Sequence, residues 1–226
     1  MKFAVLGTGI VGRTIAAGLV ELGHAVVIGT RDPNHTLAQS APDGMGNPPF
    51  SVWQGENVKV RLLTFAEAAA FGEWVVNATH GMGSLAALQA AGQANLNGKI
   101  LIDISNPLDF SRGMPPSLTV CNTDSLAEQI QRAFPGARVV KTLNTMTASL
   151  MVNPRKLANG AHSVFVSGND PTARASVTEL LRAFGWEEII DLGDITSARG
   201  TEMYLPLWLR LYGALQSPLV NIKIVH

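Results

Sequence analysis

The sequence predicts an α/β domain built on a doubly wound, mostly parallel sheet, with a small C-terminal lobe. Three observations carry that expectation. Short apolar runs alternate with helix-like segments along most of the chain. The first apolar run leads straight into a glycine-rich turn and then a helical pattern. Hydrophobic residues make up 46% of the 226 and charged residues only 15%, so there is material for a sizeable core and disorder is not expected.

Phe3-Ala4-Val5-Leu6 is a continuous apolar run ending in glycines, as a buried parallel strand should be. Ile15, Leu19 and Leu22 then recur at helical spacing, and Gly23 supplies a stop. Further strands are expected at Ala25–Ile28, Val58–Leu63, Trp74–Ala78, Ile100–Ile104 and Val139–Leu143. Ser125, with Glu128 three residues on, forms a capping box ahead of Leu126, Ile130 and Phe134. Loops rich in Gly or Pro are expected over 41–50 and 105–118. From Met151 onward come a strand at Ser163–Val166, a helix capped by Asp170 with Pro171, and a strand near Ile189. Val177, Leu180, Leu181 and Phe184 form that helix's apolar stripe, ending at Gly185, and an apolar tail follows. Residues 1–150 are read as a nucleotide-binding domain and 151–226 as a lobe packed on it.

Seventeen basic residues balance seventeen acidic ones. That argues against nucleic acid or an anionic membrane as the main partner. The single cysteine, Cys121, can form neither an internal disulfide nor a thiolate metal site by itself, and no metal centre is expected. Gly7, Gly9, Gly12 and Arg13 break the first apolar run too early for a secretory signal. Arg210, Lys223, Pro206 and Pro218 interrupt the apolar stretch 204–225, so no membrane span is expected and the chain reads as cytoplasmic.

Gly7-Thr8-Gly9-Ile10-Val11-Gly12 is G-x-G-x-x-G between a strand and a helix. Gly7 permits the tight turn, Gly9 lets a pyrophosphate approach the backbone, and Gly12 lets helix and strand pack closely. The helix N-terminus then offers free N–H groups and a positive dipole end. Gly7 through Gly12-Arg13-Thr14 also fits a triphosphate loop, with Arg13 where lysine belongs. Arginine substitutes poorly for that compact charge, and Gly9 has no purpose in such a loop. The second strand ends in Gly29-Thr30-Arg31, where NAD enzymes usually place an acid. A hydroxyl and a guanidinium suit a 2′-phosphate, which points to NADP(H), although Arg31 could instead pair with Asp32 on the surface.

Three later strand ends share a small, polar character: Asn77 to Gly81, Ser105-Asn106-Pro107, and Leu143-Asn144-Thr145-Met146. One alone could be a turn or cap; together they suggest a bed for a carboxamide and ribose. His80 is the one histidine placed for proton transfer, against the plainer reading of a loop histidine bonded to backbone. No second acid or base is positioned to pair with it. Hydride transfer between two bound rings needs orientation and dry contact more than acid–base groups.

Gly7–Gly12, Gly29–Arg31, Asp103–Pro107 and Val140–Thr145 resemble the coenzyme F420-dependent NADP oxidoreductase family. Ile190–Gly193, Ser197–Arg199 and Leu205–Leu207 are similar to the cytosolic reductase domain of the six-transmembrane epithelial metalloreductases. The resemblance implies a Rossmann domain, NADP(H), and hydride exchange with coenzyme F420 or a flavin. It places Thr8–Val11 on the pyrophosphate, Thr30 and Arg31 on the 2′-phosphate, and Thr79 and His80 beside the cofactor. Asn144–Met146 would lie near the nicotinamide or its redox partner. The metalloreductases' membrane span and haem are missing here, so metal reduction across a membrane is not expected. Asn144-Thr145-Met146-Thr147 departs from archaeal members, which leaves the second cofactor open.

Two rival readings remain beside this one. A reductase of imines or small carbonyls, of the pyrroline-5-carboxylate type, would want a helical dimerisation domain of about 100 residues where strands are expected here. A non-enzymatic NADP(H)-binding redox sensor would need no proton donor. Finally, Tyr204, Trp208, Leu211, Tyr212 and Leu215 fall at helical spacing, with Leu205, Leu207 and Leu209 filling the other side. Val220, Ile222 and Ile224 alternate like an edge strand. Such surfaces ask for a partner, and a homodimer through this region is expected, against a tail that simply folds back on its own chain.

Overall fold

The computed structural model describes residues 1–44 and 46–225. Met45, in the loop expected over 41–50, lies outside the described residues, as does His226.

Strand β1 (Lys2–Leu6) runs through the glycine turn into α1 (Ile10–Glu21) and then β2 (Ala25–Thr30). The helix ends where the sequence places its stop. Gly23 adopts φ +81°, and the N–H groups of Gly23 and His24 bond the carbonyls of Val20 and Leu19 at 2.9 and 3.0 Å. Next come α2 (Pro33–Ala38), α3 (Phe50–Glu56), β3 (Arg61–Thr64), α4 (Phe65–Phe71) and β4 (Trp74–Asn77). After α5 (Gly81–Ala91), α6 (Gln93–Leu96) and β5 (Ile100–Asp103), a small hairpin forms from β6 (Leu108–Asp109) and β7 (Ser117–Leu118). The chain continues through α7 (Leu126–Ala133), β8 (Arg138–Thr142), α8 (Ala148–Met151) and β9 (Ser163–Ser167). It finishes with α9 (Pro171–Ala183), β10 (Glu188–Asp191), α10 (Ala198–Met203) and α11 (Leu205–Leu215).

Eight strands form one sheet in the order β10-β9-β8-β5-β4-β1-β2-β3. The six from β3 to β8 are parallel and follow the doubly wound Rossmann order. β9 joins β8 antiparallel, and β10 is parallel to β9. Residues 151–226 thus add two strands to the same sheet, and α9 buries Val177, Leu180, Leu181 and Phe184 in the same core.

Alternate residues of each strand enter the two cores. Phe3, Val5, Ile100, Ile102 and Val140 face one side with α1 and α9. Ala4, Leu6, Leu101 and Val139 face the other with α4, α5, α7 and α10. Both faces are covered, which is why these strands read as unbroken apolar runs.

Three expectations need correction. The third strand is Arg61–Thr64, not 58–63. Residues 57–60 form a turn, with Val60 N–H on the Asn57 carbonyl, and Thr64 with Glu67 makes a capping box that starts α4 at once. The 105–118 loop holds the β6–β7 hairpin. Val220, Ile222 and Ile224 form no strand. Ser163 N–H donates to the Ile222 carbonyl at 2.9 Å, but the Ile224 N–H is taken by the Ser163 hydroxyl, so no ladder propagates. In α11 only Leu205 is buried, while Leu207 (56%) and Leu215 (60%) stay open to solvent.

Candidate functional site

The chain order reverses between β1 and β4, and the glycine turn sits at that switch point. Gly7 has φ +121°, and a Cβ there would meet the Ala78 carbonyl oxygen at 2.5 Å. A Cβ on Gly12 would meet the Gly7 oxygen at 2.1 Å. Both positions therefore require glycine for close packing. Gly9 differs: a Cβ there meets nothing within 4 Å. The space above it is open beside the start of α1, where the N–H groups of Ile10 and Val11 have no acceptor among the described residues. This cradle, with two crowded glycines and one facing open space, fits a dinucleotide pyrophosphate.

Arg13 turns away from it. Its Nε donates to the Thr8 carbonyl at 2.7 Å and its Nη1 to the Pro48 carbonyl at 2.5 Å, over the ring of Phe50. Burial lowers its pKa, partly offset by Asp43. The guanidinium braces the turn from behind, so it does not fill the role of a triphosphate-loop lysine.

At the end of β2, Arg31 is exposed and has no hydrogen bond or ion pair among the described residues. Asp32, its possible surface partner, caps α2 instead, accepting from His35 N–H at 3.0 Å. The Thr30 and Thr36 hydroxyls lie 2.9 Å apart. Thr36 donates to the Asp32 carbonyl at 2.9 Å, so the Thr30 proton is committed to Thr36. Arg31 is left as the uncommitted donor.

Contacts between the loops join the remaining candidates into one row. Gly7 lies against Ala78 and Thr79 after β4. Gly81, at the start of α5, sits so close to the loop after β5 that a Cβ would meet the Asn106 oxygen at 1.8 Å. Asn106 Nδ2 donates to the Asn144 carbonyl at 2.9 Å, and Asn144 Nδ2 donates to Asn106 Oδ1 at 3.0 Å. Asn144 Nδ2 also donates to the Thr201 carbonyl on α10 at 3.1 Å. Leu143, just before, takes φ +60°. That is a costly conformation for leucine, and it redirects the chain at the end of β8.

Individual side chains within the row differ. Ile10 is exposed and Val11 half-buried, and the Thr79 hydroxyl is turned inward, donating to Asn77 Oδ1 at 2.6 Å. His80 is exposed, with its ring 5.9 Å from that of Phe110 and no side-chain hydrogen bond among the described residues. Thr145 is buried with no side-chain partner among the described residues, and Met146 packs into the core.

Behind the row lies a polar cluster that the sequence reading missed. Lys141, fully buried, donates from Nζ to Asp103 Oδ2 at 2.8 Å and to the Ser105 carbonyl at 2.5 Å. It also pairs with Glu202 Oε1 at 2.8 Å. Asp103 Oδ1 accepts from Asn77 Nδ2 and the Ser105 hydroxyl, at 2.8 and 2.7 Å. Glu202 accepts the first two N–H groups of α7, from Leu126 and Ala127, at 2.8 and 3.1 Å. Burial pulls the lysine pKa down, but the two carboxylates outweigh it and the net shift is upward. The cluster ties β4, β5, β8, α7 and α10 together just under the Thr79, Asn106 and Asn144 positions.

No helix of the described residues is long and apolar enough to cross a membrane. Residues 2–107 match the family model described as NADP oxidoreductase, coenzyme F420-dependent. The crystal structure of a candidate F420-dependent NADP reductase from Arthrobacter sp. FB24 is 62% identical, with a TM-score of 0.97 and all of both chains covered. Metalloreductase STEAP3 of Rattus norvegicus is 30% identical over 212 residues, 92% of this chain but only 38% of the rat protein. A reductive aminase from Aspergillus terreus, solved with NADPH and ethyl levulinate, has a TM-score of 0.62. At 18% identity, covering 95% of this chain and 62% of that one, it is a likeness of fold. The glycine turn and strands β1 to β5 fall within the family match, the full-length likeness extends it through α11, and the chain belongs to the coenzyme F420-dependent NADP oxidoreductase family.

Proposed function

We propose that the chain transfers a hydride between NADPH and a deazaflavin or flavin ring. The observation that supports this best is the continuous row from the Gly9 cradle to Thr145, with a free Arg31 at one end. When bound, NADPH supplies the hydride. The open Gly9 turn and the N-terminus of α1 take the pyrophosphate, and Arg31 takes the 2′-phosphate. Thr8, Ile10 and Val11 shape the turn, and Thr30 flanks Arg31. Thr79, His80, Asn106, Asn144, Thr145 and Met146 form the nicotinamide end. Their neighbours hold them still: Asn106 and Asn144 bond each other, and Asn77 anchors Thr79. Rigid orientation is what a transfer between two rings requires. No acid–base pair is needed, and His80 is not assigned a proton.

Two copies are proposed to pair through α11, because Leu207, Tyr212, Leu215 and Leu219 leave an apolar surface exposed.

The reading is tested by following NADPH absorbance with F420, FMN or FAD added in turn. Oxidation with at least one of them is expected. Protein that binds NADPH yet reduces none of the three, or reduces only a cyclic imine, would overturn it.

A further inference from the structure

The buried cluster behind the row carries a surplus of negative charge. Both oxygens of Asp103 meet only donors. Oδ1 takes Asn77 Nδ2, the Ser105 hydroxyl and the Ser105 N–H at 2.8, 2.7 and 3.2 Å, and Oδ2 takes Lys141. Glu202 is alike, with Oε2 on the Leu126 N–H and Oε1 shared by the Ala127 N–H and Lys141. A carboxyl proton would find no acceptor at either group, so both are carboxylates. Two carboxylates against one ammonium leave a formal charge of −1. Neighbouring charges cancel in pairs: Glu128 takes Arg199 at 2.6 and 2.9 Å, and Asp124 takes Arg132. The positive end of α7 offsets only part of the remainder.

Folding does not require that surplus. One carboxylate pairs one ammonium, and the start of α7 is already capped by the Ser125 hydroxyl, which accepts the Glu128 N–H at 3.1 Å. A buried charge beyond what pairing needs is a cost to the fold. Its position suggests a use. Asp103 ends β5 and holds both Asn77, which anchors Thr79, and Ser105, which precedes Asn106. Glu202 follows Thr201, whose carbonyl takes Asn144 Nδ2 at 3.1 Å. The charge therefore touches all three loops assigned to the nicotinamide end. Asp103, Lys141 and Glu202 are 0%, 2% and 1% exposed, so solvent and salt screen it little. When hydride leaves with its electron pair, a neutral dihydropyridine becomes a pyridinium cation and the acceptor is reduced. A fixed negative charge beneath the ring favours the cation.

We propose that the Asp103–Lys141–Glu202 cluster is an electrostatic bias that makes the site hold the oxidised, cationic nicotinamide more tightly than the reduced one. The inference rests on the placement of the nicotinamide in the reading above. Bound NADPH becomes the stronger donor, while the balance of the free cofactors is unchanged.

The experiment titrates the parent protein, Glu202→Gln, Asp103→Asn and Ser105→Ala separately with NADP+ and with NADPH, reading both Kd values by calorimetry. The parent is expected to bind NADP+ the more tightly. Glu202→Gln removes one charge while its Oε1 keeps Ala127 and Lys141, and Asp103→Asn removes the other carboxylate's charge. In each, the ratio of the NADP+ Kd to the NADPH Kd should rise about fourfold, the scale of a partly compensated charge acting across a layer of side chains at an effective dielectric of about 20. That change is about 18 mV in the bound couple, at about 30 mV per tenfold. Ser105→Ala loosens the same loop without altering charge, so its two Kd values should shift equally and the ratio should stay put. A parent that binds NADPH more tightly, a ratio unmoved in either carboxylate variant, or an equal rise in Ser105→Ala overturns the bias and leaves the hydride-transfer reading standing. A parent that binds neither nucleotide overturns both.

Discussion

Replacing Arg31 with alanine isolates the group held responsible for choosing NADPH. Arg31 is exposed and bonds nothing among the described residues, so its loss should cost the fold no more than about 0.5 kcal/mol. A charge-assisted contact to a phosphate contributes roughly 1.5–3 kcal/mol, which is roughly tenfold to more than a hundredfold in Kd. Exposure and a screening length of about 8 Å at physiological salt place the effect near the lower end. Fluorescence titration of parent and variant with NADPH and NADH, at low and at physiological salt, reads it directly. NADPH affinity should fall about tenfold or more while NADH affinity hardly moves, and the difference should shrink as salt rises. Arg31→Lys should recover part of the loss, since it keeps the charge and gives up the planar fork. Equal losses for both nucleotides would refute the assignment.

Gly9→Val should abolish NADPH binding in a calorimetric titration yet leave the melting temperature near the parent's, because a side chain there enters only open space; normal binding would show that the turn is not the pyrophosphate site. Lys141→Met leaves Asp103 and Glu202 buried without their cation, and should cost about 3–5 kcal/mol, a drop in Tm of roughly 6–20 °C by calorimetry. A variant as stable as the parent would show that the ion cluster does not matter to folding. Leu207→Glu should convert a sedimenting dimer to a monomer at micromolar concentration, and a parent already monomeric would defeat the dimer. Trp208 is the poorer probe, since its indole N–H bonds the Val220 carbonyl at 3.0 Å and its ring stacks on Tyr212.

The glycine turn was legible because each glycine meets a separate demand of close packing or open space, and such demands leave only one residue type. Buried parallel strands were legible as unbroken apolar runs, and the Asp170 cap holds Thr172 and Ala173 as its sequence position suggests. Thr64-Phe65-Ala66-Glu67 spells the capping box that starts α4, but the alternation of Val58, Val60 and Leu62 with Lys59 and Arg61 suggests a longer strand. Two of the three charges in the ion cluster had a signal. Lys141 interrupts a strand that is otherwise apolar, and a buried lysine needs a carboxylate such as Asp103 at a neighbouring strand end. Glu202 had none, because its meeting with Lys141 depends on how α10 returns to the sheet. Arg13, read as a defective phosphate ligand, braces the turn through two carbonyls, one of them 35 residues away.

The most direct measurement is the fate of the hydride itself. Parent protein would be mixed without oxygen with oxidised F420 and with NADPH carrying deuterium on the transferable face of its nicotinamide, and the reduced deazaflavin analysed by mass spectrometry and NMR. The deazaflavin's central ring carbon does not exchange its hydrogen with water, so direct transfer predicts one deuterium retained there. Reduced F420 without the label, or no reduction of F420, FMN or FAD by protein that binds NADPH, would contradict the account.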